Sequence, residues 1–228
     1  MNDLVSYLKN YVRQVRVITA AQVTPDDERS LPPSWLPLLV QSAPQRCATV
    51  LGFWMPFQQE FQQVIAYLQQ HLLAVDVIHT ERGYSLLYSV KAGSGSTMYY
   101  EGLAPVTADT TSPVGNLLSK TPIELQHFYQ QLHNGWYYFA SRSMGPSPIE
   151  DMFVMDQQEW GILEQIGPSP IQLDQTLAVY TNGMGGYLCL EFLSSTARAH
   201  LWYSNRAPKL DIDFWGFMDT WTLLGFEG

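Results

Sequence analysis

Apolar residues recur along the chain with two periods, and the changes of period mark out its elements. Leu4, Val5, Leu8, Val12 and Val15 return every three or four positions, which predicts an opening helix capped by Asn2 or Asp3. After a polar break at residues 24–30, the proline-rich run from Leu31 to Leu39 predicts a short helix entered through prolines. Residues 46–54 read as a buried strand. Over residues 58–73, Phe61, Val64, Ile65, Leu68 and Leu72 share one helical face. Strands are predicted at 84–90 and 97–103, joined by a Gly/Ser-rich turn. Residues 104–120, rich in Pro, Thr, Ser, Asp and Gly, read as a linker or as a loop inside one domain.

The second half is punctuated more sharply. Thr121-Pro122-Ile123-Glu124 has the composition of a capping box with proline at the first helical position, and Leu125, Phe128, Tyr129 and Leu132 supply an apolar face. Asn134-Gly135 predicts a left-handed stop. A strand at 136–140, a strand at 152–155 and a short helix near 157–166 follow. β-Rich runs at 176–181, 187–192 and 197–203 are separated by Asn182-Gly183-Met184-Gly185-Gly186 and by Ser194-Ser195-Thr196, a meander pattern. Phe214, Phe217, Met218, Trp221 and Leu224 predict a terminal helix docked on the sheet. The fold class is therefore α+β: an antiparallel C-terminal meander flanked by helices, with an α/β N-terminal half. Residues 1–112 and 113–228 are the two regions, separate or parts of one domain.

Composition fits a packed chain: 46% hydrophobic and 13% aromatic over 228 residues, enough to bury a core. No apolar run approaches the roughly 18 residues that span a bilayer, and residues 1–9 are too polar for the core of a signal peptide. These features predict a cytoplasmic protein without membrane contact. The net charge of −9 is unevenly placed. Residues 1–149 hold nine basic and ten acidic side chains, whereas residues 150–228 hold three basic and eleven acidic, a net of −8. Such a field repels phosphate backbones, which argues against nucleic acid, and favours encounter with a basic partner.

Candidate chemistry is sparse. His71, His79, His127, His133 and His200 have no metal-ligand spacing, Cys47 and Cys189 sit singly in apolar stretches, and no serine stands in a GxSxG elbow. The reading is of no catalytic set, no metal and no cofactor. Asp211 and Asp213, two apart, would share a face if extended, or Asp213 would cap the terminal helix. A hydrolase using His133 with Glu150 or Asp151 is the remaining enzymatic alternative. The acidic side chains expected to face a partner are Glu150, Asp151, Asp156, Glu159, Asp211 and Asp213.

One resemblance is carried by residues 115–228. Pro122, Phe128-Tyr129, Asn134-Gly135-Trp136, the turn at Ser143-Met144-Gly145, the run Gly186-Tyr187-Leu188-Cys189-Leu190-Glu191 and the closing Phe214–Leu224 helix together resemble the SUKH superfamily. The resemblance implies a non-enzymatic bacterial immunity protein. Such a protein binds a cognate toxin, delivered by contact-dependent or type VI secretion, and masks it. Relatives that act as scaffolds or regulators of an endogenous partner supply the alternative. No catalytic or binding residue carries over from the resemblance.

Overall fold

The computed structural model describes residues 2–193 and 196–227, without the side chains of Asn2 and Asp3. The expected cap of the first helix and the turn residues Ser194 and Ser195 lie outside the described residues. In chain order the elements are α1 (Asn2–Leu8), β1 (Val15–Ile18), α2 (Pro25–Ser30), α3 (Ala43–Trp54), α4 (Gln62–His71), β2 (Leu72–Thr80), β3 (Gly83–Lys91), β4 (Thr97–Leu103), α5 (Pro113–Leu118), α6 (Ile123–His127), β5 (Asn134–Tyr138), β6 (Gly145–Pro146), β7 (Phe153–Val154), α7 (Leu163–Ile166), β8 (Thr176–Thr181), β9 (Gly186–Glu191), β10 (Arg198–Tyr203) and α8 (Phe214–Glu227).

The fold is α+β, built on two antiparallel sheets. The first runs β1-β2-β3-β4-β5; the second runs β10-β9-β8-β6, with β7 also on β8. Strand β5, from the second region, completes the sheet of the first, with Glu101 opposite Tyr137 and Gly102 opposite Trp136. A single apolar cluster extends from Ile18 to Phe226 and takes side chains from both sheets.

Alternation along the strands decides what faces what. On β9, Leu188 and Leu190 point into the shared core with Phe214, Met218 and Phe226 of α8. Cys189 between them points the other way, against Met155, Ile162, Ile171 and Trp202. The second sheet is thus covered by α8 on one face and by residues 155–173 on the other. The first sheet is covered similarly: its core face carries Val75, Val77, Leu86 and Tyr88, and its outer face packs Ile78 and Leu87 under Leu8 and Val12.

Several sequence expectations are corrected. Residues 46–54 are helical, because Cys47, Val50, Leu51 and Trp54 also fit a 3.6-residue period and Gln45 accepts the Ser42 N–H at 3.0 Å to start the helix. The helix read over 58–73 is confined to α4, and Leu72 opens β2, a strand not anticipated; Val15 belongs to β1 rather than to the first helix. The 104–120 stretch contains α5, capped by Ser112. Thr121 makes no capping box: its hydroxyl turns back to the Leu118 carbonyl at 2.8 Å. Residues 128–132 form a π-turn closed by His133 N–H to Phe128 O at 3.0 Å. Only 163–166 of the helix expected near 157–166 are α-helical. The hairpin strands at 97–103 and 176–181 lie where alternation puts them.

The terminal helix differs in a way that matters. Its inward residues are Phe214, Met218, Thr222, Gly225 and Phe226, whereas Phe217 and Trp221 are half-buried and Leu224 is exposed. Apolar residues surround much of this helix, so spacing alone does not select the docked face.

Candidate functional site

Buried polar groups are the first place to look for chemistry. The buried acids and histidines are tied into the fold, whereas the hydroxyls of Tyr100 and Tyr180 and the indole N–H groups of Trp136 and Trp202 are buried without a hydrogen-bond partner among the described residues. His133 is wholly buried. Its Nδ1 donates to the Leu103 carbonyl at 3.2 Å, and its Nε2 accepts from the Tyr88 hydroxyl at 2.6 Å. Tyr88 in turn accepts the indole N–H of Trp54 at 3.1 Å. Burial pushes the pKa of His133 down to about 3. Glycine is required at 102, since a Cβ there would lie 2.5 Å from the His133 ring. Both ring nitrogens are therefore occupied inside an aromatic core, and neither Glu150 nor Asp151 is brought to them.

Those two acids meet Arg82 instead. The guanidinium donates to Asp151 Oδ2 at 2.8 Å, to Glu150 Oε1 at 3.2 Å and to the Tyr137 hydroxyl at 3.2 Å. Tyr137 passes the chain inward by donating to Glu101 Oε2 at 2.8 Å, while Ser85 donates to Glu101 Oε1 at 2.7 Å. Burial raises the pKa of Glu101. Glu150 also accepts from Asn134 Nδ2 at 2.8 Å. Arg82 stands in the β2–β3 turn and its acids precede β7, so this junction fastens the first region to the second.

Asp211 and Asp213 do not share a strand face. Asp211 has a left-handed φ of 54° and takes a two-point contact from Arg198, 2.8 Å at each oxygen. Its N–H donates to His200 Nδ1 at 3.2 Å, which leaves His200 Nε2 to face Glu191 Oε2 at 3.1 Å. Glu191, only 1% exposed, also accepts the Gln172 N–H at 2.7 Å. Asp213 caps α8, accepting the Gly216 N–H at 3.2 Å. At the far end of the chain order, Asp27 is buried with Arg16, Tyr84 and Thr24 around it, and the Arg16 guanidinium holds its carboxyl well below the usual range.

Of the six acids expected to face a partner, four are thus engaged within the fold, although Glu150, Asp151 and Asp211 keep much of their surface in solvent. Asp156 and Glu159 are exposed and form no ion pair among the described residues. The structure adds Glu164 and Asp174 to them, exposed on the same covering segment, with the Asp174 carboxylate accepting from the neighbouring Gln175 amide at 3.3 Å. The short 3-10 turns 155–157 and 173–175 bring Asp156 and Asp174 to one side of an open groove of about 500 Å³, whose other side is Thr111, Asn116 and Lys120. A sequence signal for this surface existed: no Lys or Arg occurs between Arg142 and Arg198, a stretch holding seven acids.

No protein family, curated protein or solved structure matches the chain. Among the described residues, no helix is long and apolar enough to cross a membrane, and no group of three or more His, Cys, Asp or Glu is placed to hold a metal ion. Cys189 is wholly buried beside Met155, and burial raises its thiol pKa.

Proposed function

We propose that the chain is an immunity-type protein of the SUKH superfamily, which binds a basic protein toxin one-to-one and masks it. The observation that carries this reading is the surface built by residues 156–174: four exposed carboxylates, no ion pair to any of them among the described residues, and no basic residue in the segment. Internal salt bridges engage Glu150, Asp151, Glu191 and Asp211, and backbone N–H groups engage Asp213 and Asp219, so the charge on this surface is free to act outward. A field of one sign speeds encounter with an oppositely charged protein and rejects like-charged ones. The sheet beneath, packed by Met155, Ile162, Ile171 and Trp202, holds the segment in place, so little ordering is needed on binding.

Growth rescue tests the reading. The chain is co-expressed with the product of each neighbouring reading frame that by itself arrests growth. Growth should be restored and a one-to-one complex should co-purify. Continued arrest, or rescue without a complex, overturns the proposal.

A further inference from the structure

Strand β1 ends sooner than its neighbour. Its last residue, Ile18, stands opposite Val77, so residues 72–76 of β2 have no strand partner on that side among the described residues. The backbone groups of such an edge need other partners. Arg46 of α3 reaches across and donates from Nε to the Val75 carbonyl at 2.8 Å. It also donates from Nη2 to Asp76 Oδ1 at 3.2 Å and from Nη1 to the Gln41 carbonyl at 3.4 Å. A cavity of about 160 Å³ lies beside this pair, with Arg46 and Asp76 in its lining. Its apolar walls come from three elements: Leu4 of α1, Val17 and Ile18 of β1, and Leu38 and Leu39 of the 3-10 turn Pro33–Leu39.

The ion pair in this cavity is incompletely bonded for its depth. Both side chains are largely covered, at 23% and 22% exposure. Asp76 Oδ1 takes the one 3.2 Å bond, and Oδ2 takes none among the described residues. Burial raises the pKa of this carboxyl despite the neighbouring guanidinium. The contacts of Arg46 engage one N–H on each of its three nitrogens, so the second N–H of Nη1 and of Nη2 is left over. Spare acceptor and spare donors thus stand side by side at the end of an apolar cavity, the composition of a small-molecule site. Their charges decide the occupant. A simple cation meets Arg46 and a simple anion meets Asp76, whereas a molecule carrying both signs close together satisfies both. Size decides the rest, since a cavity of about 150 Å³ takes a molecule as large as benzene. We propose that the cavity binds a free aliphatic α-amino acid, such as leucine. The ammonium donates to Asp76 Oδ2, the carboxylate accepts from the spare N–H groups of Arg46, and the side chain lies among Leu4, Val17, Leu38 and Leu39. This site is independent of the function proposed above, because none of residues 156–174 lines it.

Calorimetric titration of the full chain with leucine tests the proposal, with isoamylamine and isocaproate as probes that each keep the side chain and one of the two charges. Leucine should bind one-to-one, and each probe about tenfold or more weakly, because each lacks one charge-assisted contact. Asp76→Asn keeps the shape and an acceptor for Arg46 but removes the charge, and should weaken leucine about tenfold while leaving the weak binding of isocaproate no weaker than before. Leu39→Phe enlarges a half-buried wall residue and should abolish leucine binding with the circular dichroism unchanged. Should that variant misfold, Asp76→Asn alone decides. No saturable heat up to about 10 mM leucine overturns the proposal. So does equal binding of leucine and either probe, or leucine binding that Asp76→Asn leaves unchanged.

Discussion

The Arg82 junction and the 156–174 segment use the same side chain, a carboxylate, for opposite purposes. At the junction, Glu150 and Asp151 converge on a guanidinium that is mostly buried and that continues inward to Glu101. On the segment, Asp156, Glu159, Glu164 and Asp174 converge on nothing basic within their own run. The difference teaches that the acidity of a chain is a poor guide to a binding face until the acids that hold the fold are subtracted. Glu191, Asp213 and Asp219 belong to that structural group as well.

The comparison breaks most easily at its buried end. Replacing Glu191 by alanine leaves the Gln172 N–H and His200 Nε2 without their acceptor and removes one partner of Arg198. A buried donor left without its acceptor costs about 1–3 kcal/mol. Urea unfolding at pH 7 should show that loss; a change below about 1 kcal/mol would mean the network contributes nothing to holding the second sheet.

A titration sharpens the inner side of the comparison. In the unfolded chain His133 takes up a proton as pH falls below 6.5, but in the folded chain burial delays this to about pH 3. The unfolded state then binds more protons throughout that window, so stability falls with pH at up to about 1.4 kcal/mol per unit. His133→Gln keeps a donor for Leu103 and an acceptor for Tyr88 but cannot titrate. Its stability between pH 6.5 and 4.5 should decline less steeply than that of the wild type by this amount, as read from urea midpoints across the range. Parallel slopes would show that His133 is not held unprotonated by the core.

The smallest expected stability effect lies on the outer side. Asp156→Lys, Glu159→Lys and Asp174→Lys together touch no internal partner of consequence and should shift stability by no more than about 0.5 kcal/mol each. A cooperative loss of several kcal/mol would place these acids in the structural group instead.

Much of the second half was legible from the chain. The Asn182–Gly186 hairpin, the 176–181 strand and the acidic helix cap at Asp213 follow from local rules, because each depends on residues within a few positions. What escaped depended on distant partners. A short apolar run such as 46–54 suits either period until Trp54 finds Tyr88 and Trp136 in the core. The acids Glu150, Asp151 and Asp211 look like surface charge until Arg82 and Arg198 arrive from elsewhere in the sequence or from the neighbouring strand. The inward face of α8 is chosen by the sheets it meets, and nothing in its own composition selects it.

The most direct test of the account is the association rate of the growth-arresting neighbour's product with the wild-type chain and with the Asp156→Lys, Glu159→Lys, Asp174→Lys variant, measured by stopped flow from 50 to 500 mM NaCl. The account predicts at least a tenfold slower association for the variant at low salt and a clearly flatter salt dependence. Equal rates with equal salt dependence would contradict it, and would leave the acids of residues 156–174 as solvated surface with no part in recognition.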